Sequence, residues 1–259
     1  MSDFATRFGG LARLYGADGL ARLRAAHVCV VGIGGVGTWA VEALARSGIG
    51  TLTLVDLDDI CVTNINRQLH ALTATVGQPK VTVMAERIHA INPQCTVRAE
   101  QQFFNTQTAP ALLAPRFDFV LDAIDSVTHK VLLLAECRQR QLPVVASGGA
   151  GGRTEATSVR HADLAHASHD RLLGEVRKRL RRDHGFPPNG QLMGIDCIYS
   201  GTAPVFAQPD GTIGESCLTA ADGTRLNCNG GLGSATFVTG TFGFAAAGLV
   251  VNHIARGKK

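Results

Sequence analysis

The sequence predicts an α/β fold built on a mostly parallel sheet with flanking helices, and three observations carry that expectation. Strand-like and helix-like segments alternate through the first two-thirds of the 259 residues, the order that winds a parallel sheet. Short apolar runs such as His27-Val-Cys-Val-Val31 lack a polar face, as strands covered on both sides require. That run passes directly into Gly32-Ile-Gly34-Gly35-Val-Gly37, a glycine turn that opens a helix.

The elements follow in order. After the strand at His27–Val31 and the glycine turn, a helical pattern runs from Val36 to Arg46 and stops at Ser47-Gly48. Thr51–Val55 is the next strand, closed by Asp56, and Lys80–Ile91 is a helix ended by Asn92-Pro93. Phe117–Leu121 is a strand ending at Asp122, Leu132–Gln141 a helix, and Pro143–Ala146 a further strand. Beyond Gly152 the texture changes to short strand candidates (Ile195–Tyr199 and Ala203–Phe206), one basic helix (Arg171–His184) and several turns. The chain therefore divides, within a single domain over 1–259, into a nucleotide-binding core (20–150), an inserted substrate-facing segment (153–225), and a C-terminal loop and apolar helix (226–259).

Composition limits the function classes. Charged residues are 18% and glycines number 30, which excludes a disordered chain, a coiled coil and a collagen-like repeat. The net charge of +4 permits a nucleic-acid partner without requiring one. The seven cysteines include no C-x-x-C pair, so no zinc site is expected. Their odd number and a polar N-terminus point to reduced thiols in the cytoplasm. From Leu226 to Ala255 no Lys, Arg, Asp or Glu occurs. The stretch 232–251 approaches the roughly 20 residues that cross a bilayer, yet its small residues equally suit a buried core or dimer helix. His166-Ala-Ser-His169 has metal-like spacing but no third ligand beyond Asp170, and no histidine is assigned a role.

The glycine turn is a dinucleotide fingerprint by itself, with Asp56 ending the next strand where a carboxylate can hold ribose hydroxyls. Its continuation departs from NAD or FAD binding. Asp56-Leu-Asp58-Asp59 leads to Asn64-Ile-Asn66-Arg67-Gln68, then to Gly77-Gln-Pro-Lys80, then to Asp122-Ala-Ile-Asp125. An arginine fork, a lysine point charge and a hard carboxylate suit a triphosphate with a divalent cation.

In this ordered set residues 20–150 resemble the E1-like adenylating enzymes, the family of ThiF, MoeB and the ubiquitin activators. The resemblance implies a Rossmann-like E1/ThiF fold, ATP and Mg²⁺ as cofactors, and activation of a carboxylate. It places Gly32, Gly34, Gly35 and Gly37 on the phosphates and Asp56, with Asp58 beside it, on the ribose. Asn64, Arg67, Gln68 and Lys80 go to the polyphosphate and Asp125 to the Mg²⁺. Arg7-Phe-Gly-Gly10, Leu226-Asn-Cys228-Asn-Gly-Gly and Gly194-Ile-Asp196-Cys197 extend the similarity to the branch that dehydrates threonylcarbamoyladenosine at position 37 of tRNA. That branch implies tRNA as partner, a homodimer, a cysteine-desulfurase sulfur-acceptor protein and a monovalent cation. Either Arg7 or Arg13 would reach the ATP of the second subunit, as an N-terminal arginine does in relatives. Cys228, in a loop of small residues, reads as a thioester relay or sulfur acceptor, or as an inert thiol beside a helix start. Arg177, Lys178 and Arg181 on the basic helix are the tRNA-binding candidates. Two other readings stand beside this one. The first is ThiF/MoeB-like adenylation of a sulfur-carrier protein C-terminus. The second is a nucleotide-binding scaffold or dinucleotide-dependent sensor without turnover.

Overall fold

A computed structural model of the chain describes residues 3–208, 210–214 and 232–257. The sheet is ordered β3-β2-β1-β4-β5-β7-β6, from β1 (His27–Val31), β2 (Thr51–Val55), β3 (Thr96–Glu100), β4 (Phe119–Asp122), β5 (Val144–Ser147), β6 (Val159–Asp163) and β7 (Asp196–Ser200). All neighbours are parallel except β6 and β7. Parallel order brings the C-terminal ends of β1, β2, β4, β5 and β7 to one edge, where ligands of open α/β sheets bind.

Both faces of the central strands are covered. Val28, Val30, Leu52, Leu54, Leu121 and Val145 belong to one buried cluster with α2 (Gly37–Arg46), α3 (Lys80–Ile91) and α7 (Thr236–Arg256). The alternate residues Cys29, Val31, Val55, Val120, Val144 and Ala146 belong to a second cluster. It packs with α4 (Ala109–Leu112), α5 (Val127–Gln139) and α6 (Arg171–His184). This two-sided burial explains the apolar runs in the sequence.

The edges explain what those runs do not reveal. β3 pairs only with β2 and its residues are largely exposed, and β6 is an exposed antiparallel edge. Neither needs an apolar pattern to pair, so neither was anticipated. The N-terminal helix α1 (Asp3–Ala25) was also unanticipated. It kinks at Gly16 (φ 76°) and buries Phe4, Phe8 and Leu23. The expected strand at Ala203–Phe206 is displaced to β8 (Phe206–Ala207), paired with β9 (Ile213–Gly214). Pro204 has no N–H to give to a ladder.

The apolar C-terminal segment forms a core helix, shifted from 232–251 to Thr236–Arg256. Its residues Val238, Phe242, Ala246 and Val250 are fully buried. A side chain at Gly243 would meet the Val36 carbonyl at 2.6 Å and the Ala40 nitrogen at 2.8 Å, so glycine is what lets α7 cross α2 so closely. From α1, the Tyr15 hydroxyl donates to Asn252 Oδ1 at 3.0 Å and Arg22 Nε to the Ala255 carbonyl at 3.0 Å. These contacts fit the core-helix reading: the buried face of the helix packs on the sheet, α1 and α2.

Candidate functional site

The glycine loop is shaped by close backbone approach. Gly32 has φ 91°, and a side chain there would meet the Ala123 carbonyl at 2.8 Å. A side chain at Gly37 would overlap the Gly32 carbonyl. The turn can therefore be built only from residues without a Cβ at these two points. Asp56 locks it from the next strand: its Oδ2 accepts the Ile33 N–H at 2.6 Å and its Oδ1 the Asp58 N–H at 2.9 Å. Burial raises the Asp56 pKa, and the nearby Lys80 ammonium works against that rise.

Lys80 begins α3 and is only 5% exposed. Its ammonium lies 2.7 Å from Asp58 Oδ2 and 3.9 Å from Asp56 Oδ1. The structure therefore joins three of the predicted residues at the mouth of the loop. Asn64 is buried and its Oδ1 accepts the Cys61 N–H at 3.0 Å, which fixes the turn that carries Arg67. The Arg67 guanidinium donates to the Thr63 carbonyl at 2.8 Å and to Asn66 Oδ1 at 3.0 Å, leaving further donors of its fork. Its backbone carbonyl accepts from Trp39 Nε1 at 3.0 Å and Thr239 Oγ1 at 3.3 Å. Gln68 is buried within van der Waals reach of Gly34, and its Oε1 has no partner among the described residues.

Three contributors had no role assigned from the sequence. His70 is buried and its Nε2 pairs with the Ile33 carbonyl at 2.9 Å, with desolvation lowering its pKa to about 4. Asp122 and Lys130 form an ion pair at 2.8 Å with both side chains fully buried. Burial raises the Asp122 pKa against the opposing charge of Lys130. Asp122 Oδ1 also accepts the Ile124 N–H at 3.0 Å, so the pair staples the turn that carries Asp125. The available signal was Lys130 itself, a cation followed immediately by the apolar run Val131–Ala135. It also explains why α5 begins at Val127 and not at Leu132, since the polar first turn is anchored inward.

Asp125 is exposed on that turn, which abuts Gly32 through Ala123. No cluster of three His, Cys, Asp or Glu side chains occurs among the described residues. A divalent ion here would rest on one protein carboxylate with nucleotide oxygens and water, the usual manner of Mg²⁺. Asp125 fits that role because it is tied by no ion pair among the described residues.

Other expected site residues lie apart. Arg7 is held by Asp3 at 2.7 Å and by the Ile91 carbonyl at 3.4 Å, whereas Arg13 is exposed. On α6 the three tRNA-binding candidates have different surroundings. Arg177 is turned onto the Leu164 and Ala167 carbonyls at 3.0 and 2.8 Å. Arg181 holds the Pro187 carbonyl at 2.9 Å and also Asn189. Lys178 alone of the three stays exposed. Backbone carbonyls of the turns flanking α6 thus take up donors of both guanidinium forks. Cys228 lies outside the described residues. Among the described thiols, burial pushes Cys29 and Cys197 up to about 12 and Cys95 up to about 11.

Comparison with known proteins places this geometry in context. The model of the ThiF family matches residues 9–255. The tRNA threonylcarbamoyladenosine dehydratase of Haemophilus influenzae is 47% identical over 259 residues, covering 100% of this chain and 97% of that protein. The Escherichia coli protein of the same name is 48% identical over 241 residues, covering 93% and 90%. The E. coli molybdopterin-synthase adenylyltransferase is 34% identical over 161 residues, 61% of this chain and 64% of its own. Among solved structures, the E. coli dehydratase in complex with ATP superposes with a TM-score of 0.86 at 43% identity, covering 98% of this chain and 96% of that one.

Proposed function

This chain belongs to the ThiF family, and from that membership we propose that it catalyses the ATP-dependent dehydration of N6-threonylcarbamoyladenosine in tRNA. The carrying observation is the junction of the glycine loop with Asp56 and Lys80, in a chain that matches dehydratases over its full length. A carboxylate is a poor electrophile. When a carboxylate oxygen attacks a phosphorus of ATP, the P–O bond to the rest of the nucleotide breaks, expelling pyrophosphate from the α-phosphorus or ADP from the γ-phosphorus. The mixed anhydride so formed gives the carbonyl carbon a good leaving group. The carbamoyl group of the same side chain then attacks that carbon, the ring closes, and the carboxylate oxygen departs on the phosphate. The net change in the nucleoside is the loss of one water.

The residues divide that work. The N–H groups at the start of α2 face the phosphates, and Asp56 with Asp58 takes the ribose. On entry of ATP the Lys80 ammonium exchanges Asp58 for phosphate oxygens. Arg67, swinging from the Thr63 carbonyl, takes charge on the polyphosphate with Asn64 and Gln68 alongside. Asp125 would hold the Mg²⁺, which when bound would neutralise charge on the leaving oxygens. We further infer a homodimer. The segment carrying exposed Val62, Ile65, Leu72 and Val76 joins the end of α7 that exposes Phe237 and Phe244, through an Asn66 to Ser234 hydrogen bond of 2.8 Å. Arg13, exposed where Arg7 is tethered, suits the arm toward the second subunit's ATP. The wider reading includes a cytoplasmic location, Cys228 as a relay thiol, a monovalent cation and a sulfur-acceptor partner.

The test is mass spectrometry of nucleosides after incubating purified protein, ATP and threonylcarbamoyl-modified tRNA. A product lighter by one water is expected. Pyrophosphate release stimulated by a carrier protein and indifferent to modified tRNA would transfer the assignment to the carrier-adenylating branch.

A further inference from the structure

The sheet edge away from the glycine loop carries a recess of its own. A cavity of about 270 Å³ lies where β5 and β7 begin, lined by Val144 of the one and by Ile195 just before the other. Leu134 and Cys137 of α5, both fully buried, are among its walls, with Phe186 after α6 and Met193. The 13 residues of α5 set it roughly 20 Å from the turn that carries Asp125. The ATP chemistry therefore makes no use of it.

Its walls are fixed by hydrogen bonds of their own. Asp163 accepts the Met193 N–H on Oδ1 at 2.9 Å and the Gly194 N–H on Oδ2 at 2.8 Å. The Leu142 N–H donates to the Cys137 carbonyl at 2.9 Å, which sets the turn from α5 into β5. Sites for small molecules are mostly pre-formed in this way, apolar with a few polar groups that orient the occupant.

Of the eleven lining residues only Arg138 is charged. Its guanidinium lies 4.1 Å over the Phe186 ring and gives Nη1 to the Gly185 carbonyl at 3.2 Å, which engages one of five donors. The acids of the same two helix ends are engaged elsewhere: Glu136 pairs with Arg140 at 3.1 Å and Asp183 with Arg182 at 2.6 Å. The last carbonyls of α5 do not claim the cation either. Those of Glu136, Cys137 and Arg138 accept the N–H groups of Arg140, Leu142 and Gln141. An apolar recess with one cation on its wall and no carboxylate among its lining residues selects an occupant by charge as well as by shape.

We propose that this cavity binds a small carboxylate with an apolar tail, the carboxylate on Arg138 and the tail among Leu134, Leu142, Phe186 and Met193. One guanidinium offsets one charge, so a phosphate dianion would leave a second charge against apolar walls. At interior packing density the volume admits a tail of roughly ten non-hydrogen atoms.

Phenylbutyrate is the probe, with phenylbutanol as its uncharged counterpart, and the full chain carries ¹³C-methyl methionine. The sequence has three methionines, of which Met193 lines the cavity and Met84 is buried in the cluster on the opposite face of the sheet. Phenylbutyrate should shift the Met193 methyl resonance saturably, leave that of Met84 in place, and bind equally with and without ATP. In the wild type phenylbutanol should bind about tenfold more weakly. Arg138→Gln keeps a donor for the Gly185 carbonyl, and it should weaken phenylbutyrate about tenfold while leaving phenylbutanol unchanged. Leu142→Trp, which fills the recess, should exclude both probes. No movement of the Met193 resonance, displacement of the probe by ATP, or equal binding of acid and alcohol by the wild type overturns the site. The last comparison needs no variant, so a substitution that failed to fold would leave the decision intact.

Discussion

The imidazole of His70 supports the glycine loop from beneath, through the Ile33 carbonyl, while Asp56 holds the N–H of the same residue. The two peptide units on either side of the Ile33 Cα are thus each pinned at one polar group, which pre-shapes the turn before any phosphate arrives. The folded protein keeps His70 neutral down to about pH 4, against an ordinary value of 6.5. As pH falls through 6.5 the unfolded chain takes up a proton that the folded one refuses. Stability from this group is full above 6.5 and is lost between 6.5 and about 4, on the order of 3 kcal/mol in all. His70→Gln, which retains a donor for the carbonyl, should flatten that part of the stability profile. Urea unfolding at pH 7 and pH 4.5 measures it, and an equal acid loss in the variant would exclude His70 as the cause.

At the scale of elements, the β4–α5 junction is held by a charge pair with both partners fully buried. Asp122 closes β4 and Lys130 lies in the first turns of α5, both with no exposure. Removing one partner strands the other charge in the interior. Lys130→Met should therefore cost about 3–5 kcal/mol. The double variant Asp122→Asn/Lys130→Met should recover most of that loss, because neither charge remains. Denaturant titrations of the three chains decide this, with additive losses as the contrary outcome. The double variant should still bind ATP more weakly, since the turn at Ala123–Asp125 exchanges a charged acceptor of the Ile124 N–H for the weaker amide oxygen of asparagine.

On the whole molecule, α6 divides its cations between holding the fold and meeting solvent. Arg177 stitches the helix to the Leu164 and Ala167 carbonyls, so Arg177→Glu should lower the melting temperature. Lys178 is exposed, and Lys178→Glu should leave the melting temperature alone and weaken tRNA binding more at low salt than at high. Calorimetry together with filter binding at two salt concentrations distinguishes the pair. If both variants melted alike and bound alike, this division of labour would be wrong.

The central strands, the glycine turn and the order of Asp56, Asn64, Arg67, Lys80 and Asp125 were readable from the chain. Each depends on local rules: apolar runs mark buried parallel strands, and a Cβ is forbidden at Gly32 and Gly37 by the backbone's own path. Edge strands β3 and β6 carried no such mark, because one-sided pairing asks little of side chains. Only the assembled molecule decided that Lys130 faces Asp122, that His70 meets Ile33, that Arg153 donates to the His169 carbonyl, and that Arg177 turns inward. Those facts join residues distant in the chain, and the cost of burying a charge or a polar atom depends on what folding brings beside it.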